Sequence, residues 1–334
     1  MKHLVRFAMA AAFALAVAAP VGAADTVNVA LNWNVPYSGW AGFYVARAKG
    51  YYEAEGLDVK WTLIKGSNPV NQTIAAGNAD LGVAAASSLV VAASKGLPLI
   101  AVSAFMQSNP EGVIVREDSG IKELKDFVGK RIAINPANPT SYLFEAKLAR
   151  AGIDKNQIDF LNVQPEAMVP LIIKNEVKGG LGYWDWQAIN IRKEGVPVNV
   201  FVMSDDKVQI YGNVLVANRD YAKKNGEVIR RFLKASVRGW IDAFDNVEVA
   251  HATMMKANSE EDPNFLRQAL AVSMKLIGSP ATAQNGFGWM EKANWEALQD
   301  ALLKGKVIEK PVDMSNLFTN EYLPPNAKDW GKRQ

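Results

Sequence analysis

Aromatic and amide side chains are concentrated in one short stretch of the sequence, Tyr183-Trp184-Asp185-Trp186-Gln187. In an extended chain, Trp184 and Trp186 lie on one side and Tyr183 lies on the other. Such rings can stack on the faces of a flat ligand, while the Gln187 amide can donate to and accept from its edge. Large aromatic side chains grouped at the end of a strand are costly to leave exposed, which favours a binding role.

Four further segments have the same character, at residues 32–40, 85–88, 106–109 and 135–141. Together with 182–187 they contain no lysine or arginine, and Asp185 is their only charged residue. This composition favours a neutral heteroaromatic ligand, since a sulfonate or inorganic anion more often recruits arginine. We predict these ligand-binding residues: Asn32, Trp33, Tyr37, Trp40, Ser87, Ser88, Gln107, Thr140, Ser141, Tyr183, Trp184, Trp186 and Gln187.

Some of these residues also have a purely structural interpretation. Trp33, at the end of a strand, could belong to the core, and Ser87 and Ser88 could cap a helix. An anion could instead use the helix N-termini at Ser87-Ser88 and Thr140-Ser141. The sequence leaves these alternatives open.

The composition excludes several other chemistries. The 334-residue chain has no cysteine and two histidines, His3 and His251. A thiol nucleophile, a disulfide and a cysteine zinc site are therefore impossible, and a Ser-His-Asp triad would depend on His251, which we predict to be structural. We expect neither a cofactor nor a metal. Lysine plus arginine is 37 and aspartate plus glutamate is 34, so no electrostatic footprint for nucleic acid is present.

The first residues resemble an export signal. Lys2 and Arg6 precede an apolar run at 7–19, Pro20 ends that run, and small residues follow at 21–23. We predict a signal peptide over residues 1–23, rather than an anchor helix, because the run is shorter than the ~20 residues that span a membrane. Since the chain lacks the cysteine that lipoproteins acylate, we predict a freely soluble periplasmic protein.

Strand and helix patterns alternate along the rest of the chain. Apolar residues alternate at 27–31 and 57–63, and Asn68-Pro69 begins a helix that ends near Gly77. A longer helix at 226–244 has the 3.6-residue apolar period. The pattern predicts an α/β protein whose sheets are mainly parallel and flanked by helices. In such sheets ligands bind beyond the carboxyl ends of the strands, where the five segments lie.

The same pattern separates two lobes. We predict that lobe 1 comprises residues 25–106 plus 212–334, and that lobe 2 comprises residues 107–211. The crossings near 106–112 and 205–212 are rich in glycine, proline, asparagine, serine and aspartate, as hinges are.

Several motifs resemble one family of binding proteins. Leu31-Asn32-Trp33, the stretches 42–46 and 49–59, Gly77-Asn78-Ala79-Asp80 and the 182–187 segment are similar to those of periplasmic solute-binding proteins for thiamine pyrimidine precursors. That family is related to taurine, alkanesulfonate and nitrate binders. The resemblance implies a two-lobed type II periplasmic-binding fold with two hinge crossings, a monomer that closes on one small ligand and delivers it to the permease and ATPase of an ABC importer.

Two departures from the family pattern concern the ligand. Asp185 and Gln187 stand where the pyrimidine binders usually have asparagine and glutamate, so a different edge of the ring could be read, with Asp185 accepting from a ring N–H or amine. The alternatives are a sulfonate- or nitrate-type binder, a sensor input and a pyrimidine-synthase-like enzyme. The related fungal synthase carries a cysteine cluster that this chain lacks.

Overall fold

The computed structural model describes residues 23–136, 138–204 and 210–333. Almost all of the predicted signal peptide lies outside these residues, as do positions 205–209 of the second predicted crossing. The strands are β1 (Asp25–Leu31), β2 (Leu57–Leu63), β3 (Leu81–Ala85), β4 (Leu99–Ser103), β5 (Glu111–Arg116), β6 (Arg131–Ile134), β7 (Asp159–Asn162), β8 (Gly179–Tyr183), β9 (Val198–Val202) and β10 (Asn213–Asn218).

The helices alternate with these strands and then dominate the last third of the chain. They are α1 (Ala41–Ala48), α2 (Tyr51–Ala54), α3 (Ser67–Ala75), α4 (Ala86–Ser94), α5 (Pro139–Arg150), α6 (Pro165–Ile173), α7 (Ile189–Lys193), α8 (Arg219–Lys224), α9 (Gly226–Asp245), α10 (Val247–Ala257), α11 (Pro263–Met274), α12 (Pro280–Asn285) and α13 (Lys292–Lys304). Glu291 holds the N-cap position of α13, and Asn294 lies inside the first turn of that helix.

The strands form two five-stranded sheets of the same design. The first sheet has the order β2-β1-β3-β10-β4, and the second has the order β7-β6-β8-β5-β9. In each sheet one strand, β10 or β5, runs antiparallel to both of its neighbours. The other described pairings, β1 with β2 and β3 and β6 with β7 and β8, are parallel. The predicted α/β class with mainly parallel sheets is thus confirmed.

The antiparallel strands are those that follow the passages between the sheets. The chain leaves β4 of the first sheet and enters the second sheet through β5. It returns from β9 and re-enters the first sheet through β10. The exact residue limits predicted for the two lobes stay a prediction.

Helix α9 packs its predicted apolar face on the first sheet. Ile229, Phe232, Leu233 and Trp240 are at most 2% exposed. Its Gly239 lies against α1 so closely that an added Cβ would be 2.1 Å from the Gly42 carbonyl oxygen. This close contact fixes α1, and with it the loop that precedes α1.

The segment after β8 differs from its predicted extended form. Strand β8 ends at Tyr183, and Trp184–Ala188 form a π-helical turn. Trp184 and Trp186 therefore do not share one side as they would in a strand. Within the described ranges, none of the helices combines the length and apolar character of a membrane span.

Candidate functional site

A cleft of about 300 Å³ opens between the two sheets. This volume is at the lower end of the range for ligand pockets, roughly 300–1,000 Å³. Its walls are made by residues from both sheets: Asn32, Trp33, Tyr37, Trp40, Lys65, Gly66, Ser67 and Pro69 on one side, and Asn135, Asn138, Pro139, Gln164, Pro165, Glu166, Tyr183, Trp186 and Gln187 on the other.

The lining residues follow the carboxyl ends of parallel strands. Asn32 and Trp33 follow β1, Lys65 follows β2, Asn135 follows β6, and Gln164 follows β7. Because both sheets point these ends toward the same gap, side chains distant in sequence converge there. The rule applied to the sequence thus points to the edge of each sheet at which this cleft lies.

An amide on the return strand connects the two walls. Asn213 Oδ1 accepts hydrogen bonds from Asn32 Nδ2 at 3.2 Å and from the Tyr183 hydroxyl at 3.0 Å. Asn32 Nδ2 also donates to Ser67 Oγ at 2.9 Å. Asn213 is fully buried and Asn32 nearly so, so this buried network connects Asn32 of one wall to Tyr183 of the other.

A buried carboxylate braces the aromatic wall from behind. The Tyr37 hydroxyl and Ser273 Oγ both donate to Asp185 Oδ2, the latter at 2.6 Å. Burial raises the pKa of Asp185 to about 6, against the lowering effect of these two hydrogen bonds. It also raises the pKa of Tyr37 well above its ordinary value, and Asp185 adds to that shift. Asp185 is fully buried and outside the cleft lining, where its Oδ2 holds the Tyr37 hydroxyl; the suggested contact with a ligand N–H stays a prediction.

The aromatic side chains of the cleft differ in what they present. Trp33 is half-buried on the wall. Trp40 and Tyr37 are buried and pack edge to face, with ring centroids 5.5 Å apart. Trp186 packs in the same manner on Tyr37 and on Phe265, at 5.9 Å and 4.7 Å. Trp33 therefore offers an accessible stacking face, whereas the buried Tyr37, Trp40 and Trp186 form a rigid wall.

Gln187 lines the cleft, and its buried side chain carries an unpaired acceptor. It is 8% exposed, and its Oε1 is buried without a hydrogen-bond partner among the described residues. A buried amide oxygen left unpaired costs about 1–3 kcal/mol, which a ligand N–H would recover.

Six predicted binding residues lie outside the lining. Ser88 Oγ donates to Asn68 and accepts from Asn71, at 2.7 and 2.8 Å. Gln107 Nε2 donates to the Ala104 and Trp289 carbonyls, and its Oε1 accepts from Ser279. These two side chains serve the scaffold because their polar atoms are used within it.

The hydroxyls at the start of α5 are also occupied locally. Thr140 Oγ1 donates to Asn138 Oδ1 at 3.0 Å, and Ser141 Oγ donates to the Asn135 carbonyl at 2.7 Å. Their neighbours Asn135 and Asn138 line the cleft in their place. Ser87 is fully buried and its Oγ has no partner in the described part of the chain.

Trp184 is the sixth. The π-helical turn directs it toward β5, where a Cβ on Gly112 would be 3.4 Å from its ring. It packs against the buried cluster around Ile114, Met168 and Ile191. The extended geometry assumed from the sequence placed it wrongly.

One ion pair at the cleft was missed by the sequence analysis. Lys65 Nζ lies 2.6 Å from Glu166 Oε1, and both residues line the cleft. The expectation of a cleft almost without charge is therefore wrong at this point. Lys65 lies just beyond the carboxyl end of β2, so the strand-end rule could have identified it.

His251 lies on α10, outside the cleft lining. Its Nε2 is 2.9 Å from the Pro263 carbonyl, and its Nδ1 is 3.4 Å from Arg267 Nη2. Among the described residues, no group of three histidine, cysteine or carboxylate side chains is placed to hold a metal ion.

Comparison with known proteins gives a consistent picture. The model of a family described as NMT1/THI5-like matches residues 38–250. The riboflavin-binding protein RibY of Chloroflexus aurantiacus is 27% identical over 89% of this chain and 86% of its own length. The formylaminopyrimidine-binding protein of Halalkalibacterium halodurans is 24% identical over 89% and 91%. A Legionella pneumophila relative, 21% identical over 89% and 92%, is named a 4-amino-5-hydroxymethyl-2-methylpyrimidine phosphate synthase.

The fold has solved counterparts. The alkanesulfonate-binding protein of Xanthomonas axonopodis pv. citri superposes with a TM-score of 0.70 over 88% of this chain and 98% of that chain, at 15% identity. This likeness confirms the expected two-lobed periplasmic-binding fold.

Proposed function

The chain belongs to the NMT1/THI5-like family, and we propose on that basis that it is the periplasmic substrate-binding component of an ABC importer. Its ligand is a small heteroaromatic solute, such as a pyrimidine precursor of thiamine. Two relatives that match most of the chain are named for binding riboflavin and a formylaminopyrimidine. The predicted signal peptide supports the periplasmic location, and the permease and ATPase subunits are the expected partners.

The observation that carries this proposal is the chemistry of the cleft. Trp33 supplies an accessible ring face, Gln187 Oε1 supplies an unpaired acceptor, and Tyr37, Trp40 and Trp186 form rigid aromatic walls. A flat ring with N–H groups at its edge would satisfy both kinds of contact. A volume of about 300 Å³ suits one small ring system.

Ligand capture would proceed by closure of the two lobes. Three contacts join segments beside the first sheet to segments beside the second: Tyr37 to Asp185, Lys65 to Glu166, and Asn68 Nδ2 to the Tyr142 hydroxyl at 2.9 Å. These contacts would form as the lobes meet over the ligand.

Two alternatives have weaker support. A sulfonate binder would need cationic donors, and the only lysine or arginine on the described cleft walls, Lys65, is paired with Glu166. An enzyme of the synthase type would need reactive groups near the ring, and His251 is hydrogen-bonded on α10 away from the cleft.

A thermal-shift screen of the mature chain tests the proposal. Pyrimidines, flavins, aromatic acids, taurine, alkanesulfonates and nitrate are compared, and a ligand at 100 times its Kd stabilises by about 2.7 kcal/mol. We expect stabilisation by one heteroaromatic class and a change in tryptophan fluorescence with the same ligand. Stabilisation by sulfonates or nitrate alone would overturn the proposal.

A further inference from the structure

Helix α11 contacts both lobes. It packs on α10 and on residues 38–40 of the first lobe, and it also contacts the π-helical turn and α7 of the second lobe. No described residue of α11 belongs to the cleft lining. Its contacts with the second lobe are therefore additional to those that a ligand in the cleft would make.

The apolar part of this contact includes Phe265 of α11. The Phe265 ring packs edge to face on Trp186, with ring centroids 4.7 Å apart and an interplanar angle of 86°. Phe265 is 2% exposed, and Trp186 and Ile189 are at most 8% exposed within the same buried cluster. Because the partners come from different lobes, separation of the lobes would expose these apolar side chains to water, which costs free energy.

Polar contacts lie at the two ends of the helix. At its N-cap, Asp262 Oδ2 lies 3.9 Å from Lys193 Nζ, which is also 5.5 Å from the centroid of the Phe265 ring. In its last turn, Ser273 Oγ donates to Asp185 Oδ2 at 2.6 Å. Residues of the second lobe therefore contact α11 from its N-cap to its last turn.

We propose that α11 is a closing surface for the second lobe and that Phe265 is a positioning residue for Trp186: the ring keeps Trp186 in the cleft wall when the lobes meet, and so favours the closed conformation without touching the ligand. A contact made only in the closed conformation shifts the equilibrium toward that conformation. The inference rests on the proposed function, because it assumes the lobe closure described there.

Chemical cross-linking measures the closed population without a ligand. Lys65→Cys and Glu166→Cys place two thiols on positions whose native side chains meet across the cleft, in a chain that has no cysteine of its own. A short bismaleimide joins the two thiols when the lobes are closed. Adding Phe265→Ala to this double variant should slow cross-linking about two- to tenfold, the range expected from the loss of an edge-to-face aromatic pair.

Phe244→Ala in the same double variant is the matched control. Phe244 packs edge to face on Trp330, with centroids 4.5 Å apart and an interplanar angle of 78°, and both residues lie outside the described cleft lining. Its loss should leave the rate of cross-linking unchanged. Urea unfolding establishes that each variant is folded before cross-linking. If F265A is not folded, Phe265→Leu, which keeps an apolar side chain and loses the ring, takes its place.

Each outcome decides the proposal. Slower cross-linking in the Phe265 variant, with an unchanged rate in F244A, supports it. Equal rates in all variants, faster cross-linking after the loss of Phe265, equal slowing by F244A, or failure of both Phe265 variants to fold overturns it. A general loosening of the fold would bring the two thiols together more often, so it would not produce the expected slowing. The measurement needs no heteroaromatic ligand, so a failure of the proposed function in the solute screen is seen separately.

Discussion

Lys65 Nζ lies 2.6 Å from Glu166 Oε1, and the pair joins the loop after β2 to the first turn of α6 across the mouth of the cleft. The lysine lowers the pKa of Glu166. Their side chains are 62% and 44% exposed, so the pair is accessible to solvent and to salt. It is a weak link between the lobes that would have to break whenever the ligand leaves.

Loss of this pair should speed ligand release. An exposed ion pair contributes about 0.2–1 kcal/mol, so Lys65→Ala is expected to raise the release rate about 1.5- to 5-fold. Stopped-flow tryptophan fluorescence measures that rate at low and high salt. High salt should bring the wild type toward the variant, because salt screens exposed charges.

A matched control lies on the adjoining strand. Lys60 forms a similarly exposed pair with Asp58 at 2.8 Å, on β2 and outside the cleft lining. Lys60→Ala should leave the release rate unchanged. If both lysine variants alter release equally, the effect is one of general charge and not of the pair across the cleft.

Trp33 should carry the stacking contact with the ligand. Trp33→Ala is expected to weaken binding by about 1–3 kcal/mol, the range for ring stacking on an aromatic side chain. Isothermal titration calorimetry measures the affinity. Trp61 is also half-buried but packs on Tyr44 away from the cleft, so Trp61→Ala serves as the control and should bind with wild-type affinity.

Trp184 should affect stability, while Trp186 affects binding as well. Trp184 packs against β5 outside the lining, so Trp184→Ala should lower the free energy of unfolding by about 3 kcal/mol through the cavity it leaves. Its ligand affinity, measured below the unfolding transition, should be retained. Trp186→Ala should lose affinity too, because that ring forms a wall of the cleft. A large loss of affinity in W184A would return Trp184 to the site.

Asp185 should make the protein less stable as the pH rises from about 4 to 6. Its pKa in the folded protein is raised from 3.8 to about 6, so the folded chain holds the proton more tightly than the unfolded chain does. The corresponding stability is fully present below pH 3.8 and is lost as the pH rises through 6. A pKa shift of this size corresponds to a change of up to about 3 kcal/mol in the free energy of unfolding.

Asp185→Asn tests this pH dependence. The amide oxygen can still accept from Tyr37 and Ser273, and the charge is gone. The variant should match the wild type near pH 4 and be more stable above pH 6, as measured by urea unfolding across that range. Burial also raises the pKa of Glu111, to about 7, so this group lowers the free energy of unfolding further as the pH rises. That second decrease should remain in D185N. Equal pH profiles for variant and wild type would contradict the assignment.

The sequence was sufficient for the parts of the site that follow from strand periodicity. Asn32 and Trp33 follow a period-two strand, and Tyr183 ends a buried one, so the strand-end rule placed them at the cleft. Such patterns are local, and the fold preserves them.

The remaining parts depend on tertiary contacts. Lys65 and Glu166 are 101 positions apart in the sequence and pair only because the two lobes meet. A local sequence pattern therefore cannot predict this ion pair. The orientation of Trp184 depends on the π-helical turn and on Gly112 of β5, whose lack of a side chain leaves room for the indole ring. Gln107 was misassigned because Ser279, its hydrogen-bond partner, is 172 residues away.

The positions of β5 and β10 have a mechanical consequence. Each passage between the lobes ends in a strand with hydrogen-bonded neighbours on both sides, not in an edge strand. A bend in either passage therefore acts on an interior strand. It would rotate the whole sheet as a rigid body and would not detach an edge strand. Asn213 begins β10 and accepts hydrogen bonds from Asn32 and Tyr183 of the cleft walls, so rotation of either sheet would strain these bonds beside the ligand.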